Sequence, residues 1–92
     1  MSPRPGRPSP AQLCVSWPYV ASDDPVAEAA RLFARNVVEA MGGRSYREIS
    51  RLSGVHHEVL SSVAAGESWP DLVTIVRLEE ALGEPLFPAK RG

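Results

Sequence analysis

The sequence lacks three features that would each place it in a well-defined class of protein. It has a single cysteine, Cys14, and can form no internal disulfide, which is typical of a reducing, cytoplasmic location. No apolar run approaches the roughly 20 residues of a membrane-spanning helix, and the proline-rich start lacks the apolar stretch of a signal peptide. Basic charge is not in excess, because ten Lys and Arg stand against eleven Asp and Glu. We therefore expect no membrane association, and no overall positive field marks a nucleic-acid partner.

The residue sets that common enzyme chemistries require are also missing. There is no glycine-rich phosphate loop and no nucleophile–base pair in a recognisable arrangement. His56 and His57 are adjacent, and adjacent side chains of a helix diverge, so they do not predict a metal site. We therefore expect neither an enzyme nor a bound cofactor or metal.

The first 22 residues show little helical pattern. Residues 1–12 contain four of the nine prolines together with Arg4 and Arg7, and they predict a flexible, extended arm. In residues 13–22 apolar side chains alternate along the chain around Trp17, which predicts an extended apolar strip. Such a strip would lie across the helical body or across a partner chain.

Residues 23–87 predict four helices, and residues 88–92 predict a flexible tail. An N-cap residue marks the start of each helix, and a glycine at or just after its last residue marks the end. The predicted helices run from Asp24-Pro25 to Gly42-Gly43, from the Ser45/Glu48 capping box to Gly54, from about His56 to Ala65, and from Asp71 to Gly83.

Helical periodicity predicts which side chains of these helices are buried. In the first helix Arg31 and Arg35 fall on the outer side, where they can pair with Glu28 and Glu39. The turn "EPLFP", residues 84–88, is called the C-terminal turn below, and it is expected to hold Leu86 and Phe87 on the core. The other residues predicted to face inward are Val26, Ala29, Ala30, Phe33, Val37, Ala40, Met41, Ile49, Leu52, Val55, Leu72, Ile75, Val76, Leu78 and Leu82.

Two short helices joined at Gly54 are the most informative feature of the sequence. A glycine turn this tight crosses the helices steeply, so the later helix projects from the body. Ser50 is small where the two helices cross, and Val55 returns to the core. With these spacings, "SYREISRLSGVHHEVLSSVAAG" and "SWPDLVTIVRLEEALGEPLF" resemble the phage-repressor and Cro-like helix-turn-helix family, called the XRE type, over about residues 25–87.

This resemblance implies both a fold and a function. The fold is all-α: a compact, lambda-repressor-like domain of four to five helices over residues 23–87, with an extended N-terminal arm. The function is sequence-specific DNA binding in transcription regulation, as a repressor or a Cro-like switch. The chain would act as a dimer on paired half-sites of double-stranded DNA, with the helix at about residues 56–65 in the major groove.

The family's DNA-contacting positions are carried over residue by residue. Neutral histidine and serine can donate to or accept from base edges, and a glutamate can accept from cytosine N4. Arginines beside them would supply attraction to the phosphates. The implied base-reading residues are His56, His57, Glu58, Ser61 and Ser62; the implied phosphate contacts are Arg44, Tyr46, Arg47 and Arg51, with Arg4 and Arg7 on the arm as further DNA contacts.

The same residues have simpler interpretations. The two histidines are also compatible with a capping residue at position 56 and a solvated one at position 57. Glu58 favours a helix N-terminus whether or not it touches a base. Ser61 and Ser62 also suit any exposed face.

A second function therefore stays open. The scaffold would serve as a protein-interaction module of the antitoxin or anti-repressor type, with weak or no DNA binding. It would use the neutral third helix and the acidic fourth helix, which carries Glu79 and Glu80. A dimer would form through either Leu13–Val20 or the C-terminal turn.

Overall fold

The computed structural model describes residues 8–88, which form four α-helices preceded by one turn of 3-10 helix. The 3-10 helix spans Ala11–Leu13, and helices α1 to α4 span Pro25–Met41, Tyr46–Ser53, His57–Ala64 and Leu72–Leu82. No strand occurs within residues 8–88. The all-α fold predicted from the sequence is confirmed.

The helix boundaries follow from local hydrogen bonds. The side chains of Asp24, Ser45 and Asp71 each accept from backbone N–H groups in the first turn of the helix that they precede. The capping box forms in both directions, since Glu48 also accepts from the backbone N–H of Ser45 at 3.0 Å. Helices α1, α2 and α4 each end at a glycine in the left-handed conformation. These short-range signals are visible in the sequence, and the predicted boundaries hold to within about a residue.

The core takes a fully buried side chain from each α-helix and one from the C-terminal turn. Helices α2, α3 and α4 bury only one or two side chains each, whereas the long helix α1 buries seven. Each of these five side chains is at most 1% exposed: Phe33, Ile49, Leu60, Leu78 and Leu86.

Four apolar side chains that were predicted to face inward are exposed instead. They are Val26, Leu52, Leu72 and Val76, of which Leu72 is 73% exposed. Helix α4 is apolar around most of its circumference, so the periodicity allows more than one buried face. Packing against α1 and α2 selects the face that carries Leu78.

Arg31 is the opposite case, because it was predicted to lie on the outer side of α1 and is only 6% exposed. Its Nε and Nη2 atoms donate to the two carboxylate oxygens of Glu28 at 2.8 and 2.6 Å, so the predicted pairing of these two residues is confirmed. Its Nη1 atom donates to the carbonyl oxygen of Pro18 at 3.0 Å. The charge is buried because the chain before α1 folds back over it.

That preceding chain, residues 8–22, is called the N-terminal segment below, and it is not the extended strip that the sequence predicted. After the 3-10 helix it forms bends and a turn, in which the backbone N–H of Tyr19 donates to the carbonyl of Ser16 at 2.8 Å. Val15 and Tyr19 point to solvent, whereas Trp17 is half-buried. The segment in which apolar residues alternate therefore folds as bends and turns, not as a strand.

Part of the predicted arm also packs onto the body. Pro10 is buried, and the backbone N–H of Ala11 donates to the carbonyl of Gly66 at 2.9 Å. The indole N–H of Trp69 donates to the carbonyl of Pro8 at 3.0 Å. The rest of the predicted arm, residues 1–7, and most of the predicted tail, residues 89–92, lie outside the described residues.

The C-terminal turn is held on the core through Leu86, as predicted, whereas Phe87 is 39% exposed. Leu86 is buried, and the ring of Phe87 lies 6.3 Å from the ring of Phe33, measured between centroids. The carboxylate of Glu79 accepts from the backbone N–H groups of Leu86 and Phe87 at 2.8 and 3.0 Å. Asn36 donates to the carbonyl of Leu86 at 2.8 Å. Glu79 therefore holds the end of the domain in place.

We expect Glu79→Gln to lower the melting temperature, and to do so only where Glu79 is ionised. Hydrogen bonds from the backbone N–H of Phe87, and then of Leu86, lower the pKa of Glu79 below its ordinary value of 4.5. The stabilisation is therefore present above the unfolded pKa and is lost as pH falls through the lower, folded pKa. A loss of about 1 kcal/mol in the free energy of unfolding corresponds to a fall of roughly 4–8 °C in the melting temperature of a domain of this size.

Thermal melts at neutral and acidic pH test this expectation. The difference between the wild type and Glu79→Gln should shrink as pH falls below 4.5. Glu80→Gln is the matched control, because Glu80 is exposed and adjacent, and its melting temperature should stay close to that of the wild type. Equal effects of the two substitutions would contradict the role given to Glu79.

Candidate nucleic-acid interface

The turn between α2 and α3 sets the direction of α3. Gly54 has a φ of +79°, a conformation that glycine adopts without strain, and its N–H donates to the carbonyl of Ser50 at 2.8 Å. Ser53 accepts from the backbone N–H of Val55, which is buried in the core. Only three residues separate the end of α2 from the start of α3. The predicted glycine turn and the return of Val55 to the core are both confirmed.

Helix α3 has one buried side and a broad exposed one. Only Leu60 and Val63 are buried, and both belong to the core cluster. Glu58, Val59 and Ser61 are exposed. A short helix held by two side chains on one side can present the rest of its surface to a partner.

The two histidines at the start of α3 have different environments. His56 is the N-cap, and its Nδ1 atom accepts from the backbone N–H of Glu58 at 3.1 Å. With Nδ1 used as an acceptor, the neutral ring carries its proton on Nε2, where it can donate outward. The ring of His57 stacks on that of His56, with centroids 4.4 Å apart and planes 26° apart. The capping interpretation of His56 is thus confirmed.

A concave surface forms between the start of α2 and α3, and we call it the α2–α3 groove. Its volume is about 620 Å³, enough to admit side-chain or base-sized groups. It is lined by Ser45, Tyr46, Arg47, His57, Glu58, Ser61 and Ser62. Six of these seven were predicted from the sequence as DNA contacts, and the fold brings them onto one surface.

Ser45 is the lining residue that the sequence analysis did not assign to the site. It was identified only as the N-cap of α2, and it does accept from the backbone N–H of Glu48 at 3.1 Å. An N-cap residue lies at the end of a helix that attracts anions. The N-cap pattern in the sequence could therefore have placed Ser45 in the site beside Arg47.

The other predicted contacts lie outside the groove. The guanidinium of Arg44 donates from Nε to the carbonyl of Met41 at 2.8 Å and from Nη2 to that of Ala40 at 3.2 Å, so it caps the end of α1. Arg51 is exposed on α2, one helical turn after Arg47. His56 borders the groove through its stack on His57. Arg4 and Arg7 lie outside the described residues.

The groove combines balanced side-chain charge with mixed hydrogen-bonding groups. Among its lining residues, Arg47 carries a positive charge and Glu58 a negative one. Both α2 and α3 begin at the groove, and the unpaired N–H groups of a helix N-terminus favour anions. The arrangement suits a phosphate near the start of α2 and polar base edges along α3.

Residues 8–88 contain neither a cluster of metal-binding side chains nor a membrane-spanning helix. No three His, Cys, Asp or Glu side chains lie close enough together there to hold a metal ion. No helix in the same range is long and apolar enough to cross a membrane.

Comparison with known proteins identifies a family for this chain. A family model described as helix-turn-helix matches residues 37–87, which is more than half of the chain. The matched range contains all of α2, α3 and α4, together with every residue that lines the α2–α3 groove. No curated protein and no solved structure matches the chain.

Proposed function

From the premise that the chain belongs to the helix-turn-helix family, in its XRE-type form, we propose that it is a transcriptional repressor or Cro-like regulator that binds paired DNA half-sites as a dimer. The family is one of DNA-binding regulators rather than of enzymes. The observation that carries the proposal is the α2–α3 groove, which places Arg47 beside four polar side chains of α3.

In this proposal α3 enters the major groove with its N-terminal end first, and its exposed side reads base edges. His57, Ser61 and Ser62 offer donors or acceptors as the bases require, and Glu58 accepts from the N4 amino group of cytosine. Glu58 is exposed, so its carboxylate can reach a base edge while favouring the helix N-terminus. His56 contributes through Nε2, because its other ring nitrogen caps α3.

The phosphate contacts come from the start of α2. Arg47 and Tyr46 line the groove there, and the free N–H groups of the α2 N-terminus assist. Arg51 extends the same helix by one turn, whereas Arg44 is held at the end of α1. Since each phosphate contact contributes about 0.9 log units to the salt dependence, so few cations give modest affinity per protomer. A dimer on two half-sites raises that affinity.

The N-terminal segment supports the dimer better than the C-terminal turn does. Val15 is 90% exposed and Tyr19 is 78% exposed, and Val20 is exposed beside them. The C-terminal turn is instead committed to its own domain, since Leu86 is buried. We therefore place the contact between protomers on the outer side of the N-terminal segment.

The alternative of a protein-binding module loses part of its support. It depends on an acidic surface on α4, but the carboxylate of Glu79 is engaged with two backbone N–H groups of the same chain. Glu80 remains exposed by itself. No feature of the described residues favours that function over DNA binding.

Selection of binding sites from random duplex DNA tests the proposal. We expect enrichment of one sequence with two related half-sites, spaced by about 10–10.5 base pairs or a multiple of that spacing. Failure to enrich any sequence, even at low salt, would contradict DNA reading. Enrichment of a single half-site would contradict the dimer alone.

Repeating the selection with His57→Ala and with Glu58→Ala tests the assigned readers. Each substitution should relax the preference at one or two positions per half-site, by about 1–3 kcal/mol of discrimination, while the remaining positions keep theirs. Glu67→Ala is the matched control, because Glu67 is exposed just beyond α3 and does not line the groove. If all three variants select the wild-type sequence, neither residue reads a base.

A further inference from the structure

The C-terminal end of α3 is held by residues from the N-terminal segment. The indole N–H of Trp17 donates to the carbonyl of Ala64 at 2.9 Å. The backbone N–H of Ala11 donates to the carbonyl of Gly66, two residues later, at 2.9 Å. Both donors lie outside residues 37–87, the range that matches the family. These two hydrogen bonds and the indole ring are called the Trp17 brace below.

Helix α3 needs such a contact because it is short. The last carbonyls of a helix lack partners within the helix, and the Ala64 carbonyl is one of them. A helix of eight residues has little stability by itself, and α3 is anchored in the core by only Leu60 and Val63. Two anchors on one side leave the tilt of the helix poorly defined. A third contact at its end restrains that tilt.

The indole ring also fits closely against the chain where α3 ends. Gly66 has a φ of +73°, and a Cβ atom placed on it would lie 2.6 Å from Cε2 and 2.7 Å from Cδ2 of Trp17. It would also lie 2.9 Å from the Cβ of Ala11. Since real Cβ atoms do not approach other carbons so closely, the ring occupies the space that a side chain would take.

The N-terminal segment is itself tied to α1 on both sides of Trp17. The hydroxyl of Ser22 donates to the carbonyl of Leu13 at 2.6 Å, and the backbone N–H of Ser22 donates to Glu28 at 2.8 Å. On the other side, the buried guanidinium of Arg31 donates to the carbonyl of Pro18. The brace therefore connects α3 to a rigid support rather than to a loose loop.

We propose that Trp17 is a positioning residue for DNA reading, which ties the end of α3 to α1 and so holds Ser61 and Ser62 in a fixed orientation in the α2–α3 groove. The inference rests on the proposed function, because it gives α3 the role of the reading helix. Trp17 touches no base in this scheme. It acts through the carbonyl of Ala64, and its effect is on selectivity rather than on attraction to phosphates.

Trp17→Phe tests the brace because phenylalanine keeps an aromatic ring and removes the N–H donor. In the free protein, the substitution should speed amide hydrogen exchange of Ala65, Gly66 and Glu67 by about fivefold relative to the wild type, while exchange of the core amides stays the same. A fivefold change corresponds to the net free energy of one intramolecular hydrogen bond. On DNA, the ratio of specific to non-specific affinity should fall by about fivefold or more, as for one lost base contact. Non-specific affinity and its salt dependence should not change.

Glu79→Gln is the control for a general loss of stability, because removing the negative charge weakens the hydrogen bonds at the C-terminal turn. At a temperature well below both melting transitions, it should leave the exchange of α3 and the affinity ratio as in the wild type. Unchanged exchange in Trp17→Phe would overturn the brace. Faster exchange with an unchanged affinity ratio would overturn the positioning role and leave the proposed function intact. If the wild type itself shows no sequence selectivity, the proposed function fails, and the exchange comparison still tests the brace by itself.

Discussion

Arg47→Ala is expected to weaken binding to the selected DNA by about 60-fold for a dimer in roughly 0.1 M salt. Each lost phosphate contact removes about 0.9 log units of affinity per log unit of salt, and a dimer loses two contacts. Over the one log unit between 1 M and 0.1 M salt, the two contacts together remove about 1.8 log units, or roughly 60-fold. The plot of log affinity against log salt should therefore be flatter by about 1.8. Arg47 is chosen because it lines the α2–α3 groove, whereas Arg44 is occupied by the carbonyls of Met41 and Ala40. Titrations of labelled DNA at several salt concentrations measure both quantities.

The control for this prediction is Arg35→Ala. Arg35 is also an exposed arginine, but it lies on α1 and lines a different cavity, next to Pro18 and Tyr19. Both variants lower the net charge of the chain by one, so any effect of total charge is shared. If Arg35→Ala flattens the salt dependence as much as Arg47→Ala does, the arginine in the groove has no special role, and the proposed orientation on DNA is wrong.

Gly66→Ala is expected to destabilise the domain by about 3 kcal/mol. Roughly 1–2 kcal/mol comes from placing a side chain in the left-handed conformation, and about 1–3 kcal/mol comes from overpacking against Trp17. The ring cannot move aside without breaking its hydrogen bond to the Ala64 carbonyl. Marginally stable domains have about 5–15 kcal/mol in total, so the loss is large. Thermal or urea unfolding measures it, with an expected fall in melting temperature of roughly 10–20 °C.

Gly83 provides a matched control for the backbone contribution. It has the same φ of +73°, but a Cβ atom there would meet nothing within 4 Å. Gly83→Ala should therefore cost only about 1 kcal/mol, from the left-handed backbone alone. The difference between the two substitutions isolates the overlap with the indole ring and with Ala11.

A double-mutant cycle then assigns that overlap to Trp17. In a Trp17→Ala background the space around Gly66 opens, and Gly66→Ala should cost close to what Gly83→Ala costs. The measurement is the free energy of unfolding of the two single variants and the double variant. If Gly66→Ala costs the same with and without Trp17, the ring does not press on the end of α3, and the packing described above is incorrect.

The parts of the fold that the sequence predicts are those set by local interactions. The cap of α1 at Asp24, the capping box at Ser45, and the turn at Gly54 each depend on residues within four positions along the chain. Most of the residues that line the α2–α3 groove could also be predicted, because Ser61 and Ser62 follow His57 by about one helical turn and so lie on the same side of α3. The base-reading and phosphate roles of these residues stay predictions that the DNA experiments test.

The sequence failed where contacts between distant parts of the chain decide the outcome. Arg31 looked exposed by periodicity, but residues 8–22 fold over it, and no local pattern announces that cover. Glu79 looked like part of an acidic surface, but it binds backbone N–H groups seven and eight residues later. Trp17 looked like part of an extended strip, but its partner, Ala64, lies 47 residues away.

The sequence by itself determined the all-α class, the helix boundaries and the helix-turn-helix spacing, because caps and left-handed glycines act within a single turn of backbone. Only the tertiary structure decided which face of α4 is buried, where the charge of Arg31 goes, and what holds the end of α3. The physical reason is that burial and side-chain hydrogen bonds depend on which surfaces meet. A helix that is apolar on several sides, such as α4, carries no local signal that selects among them.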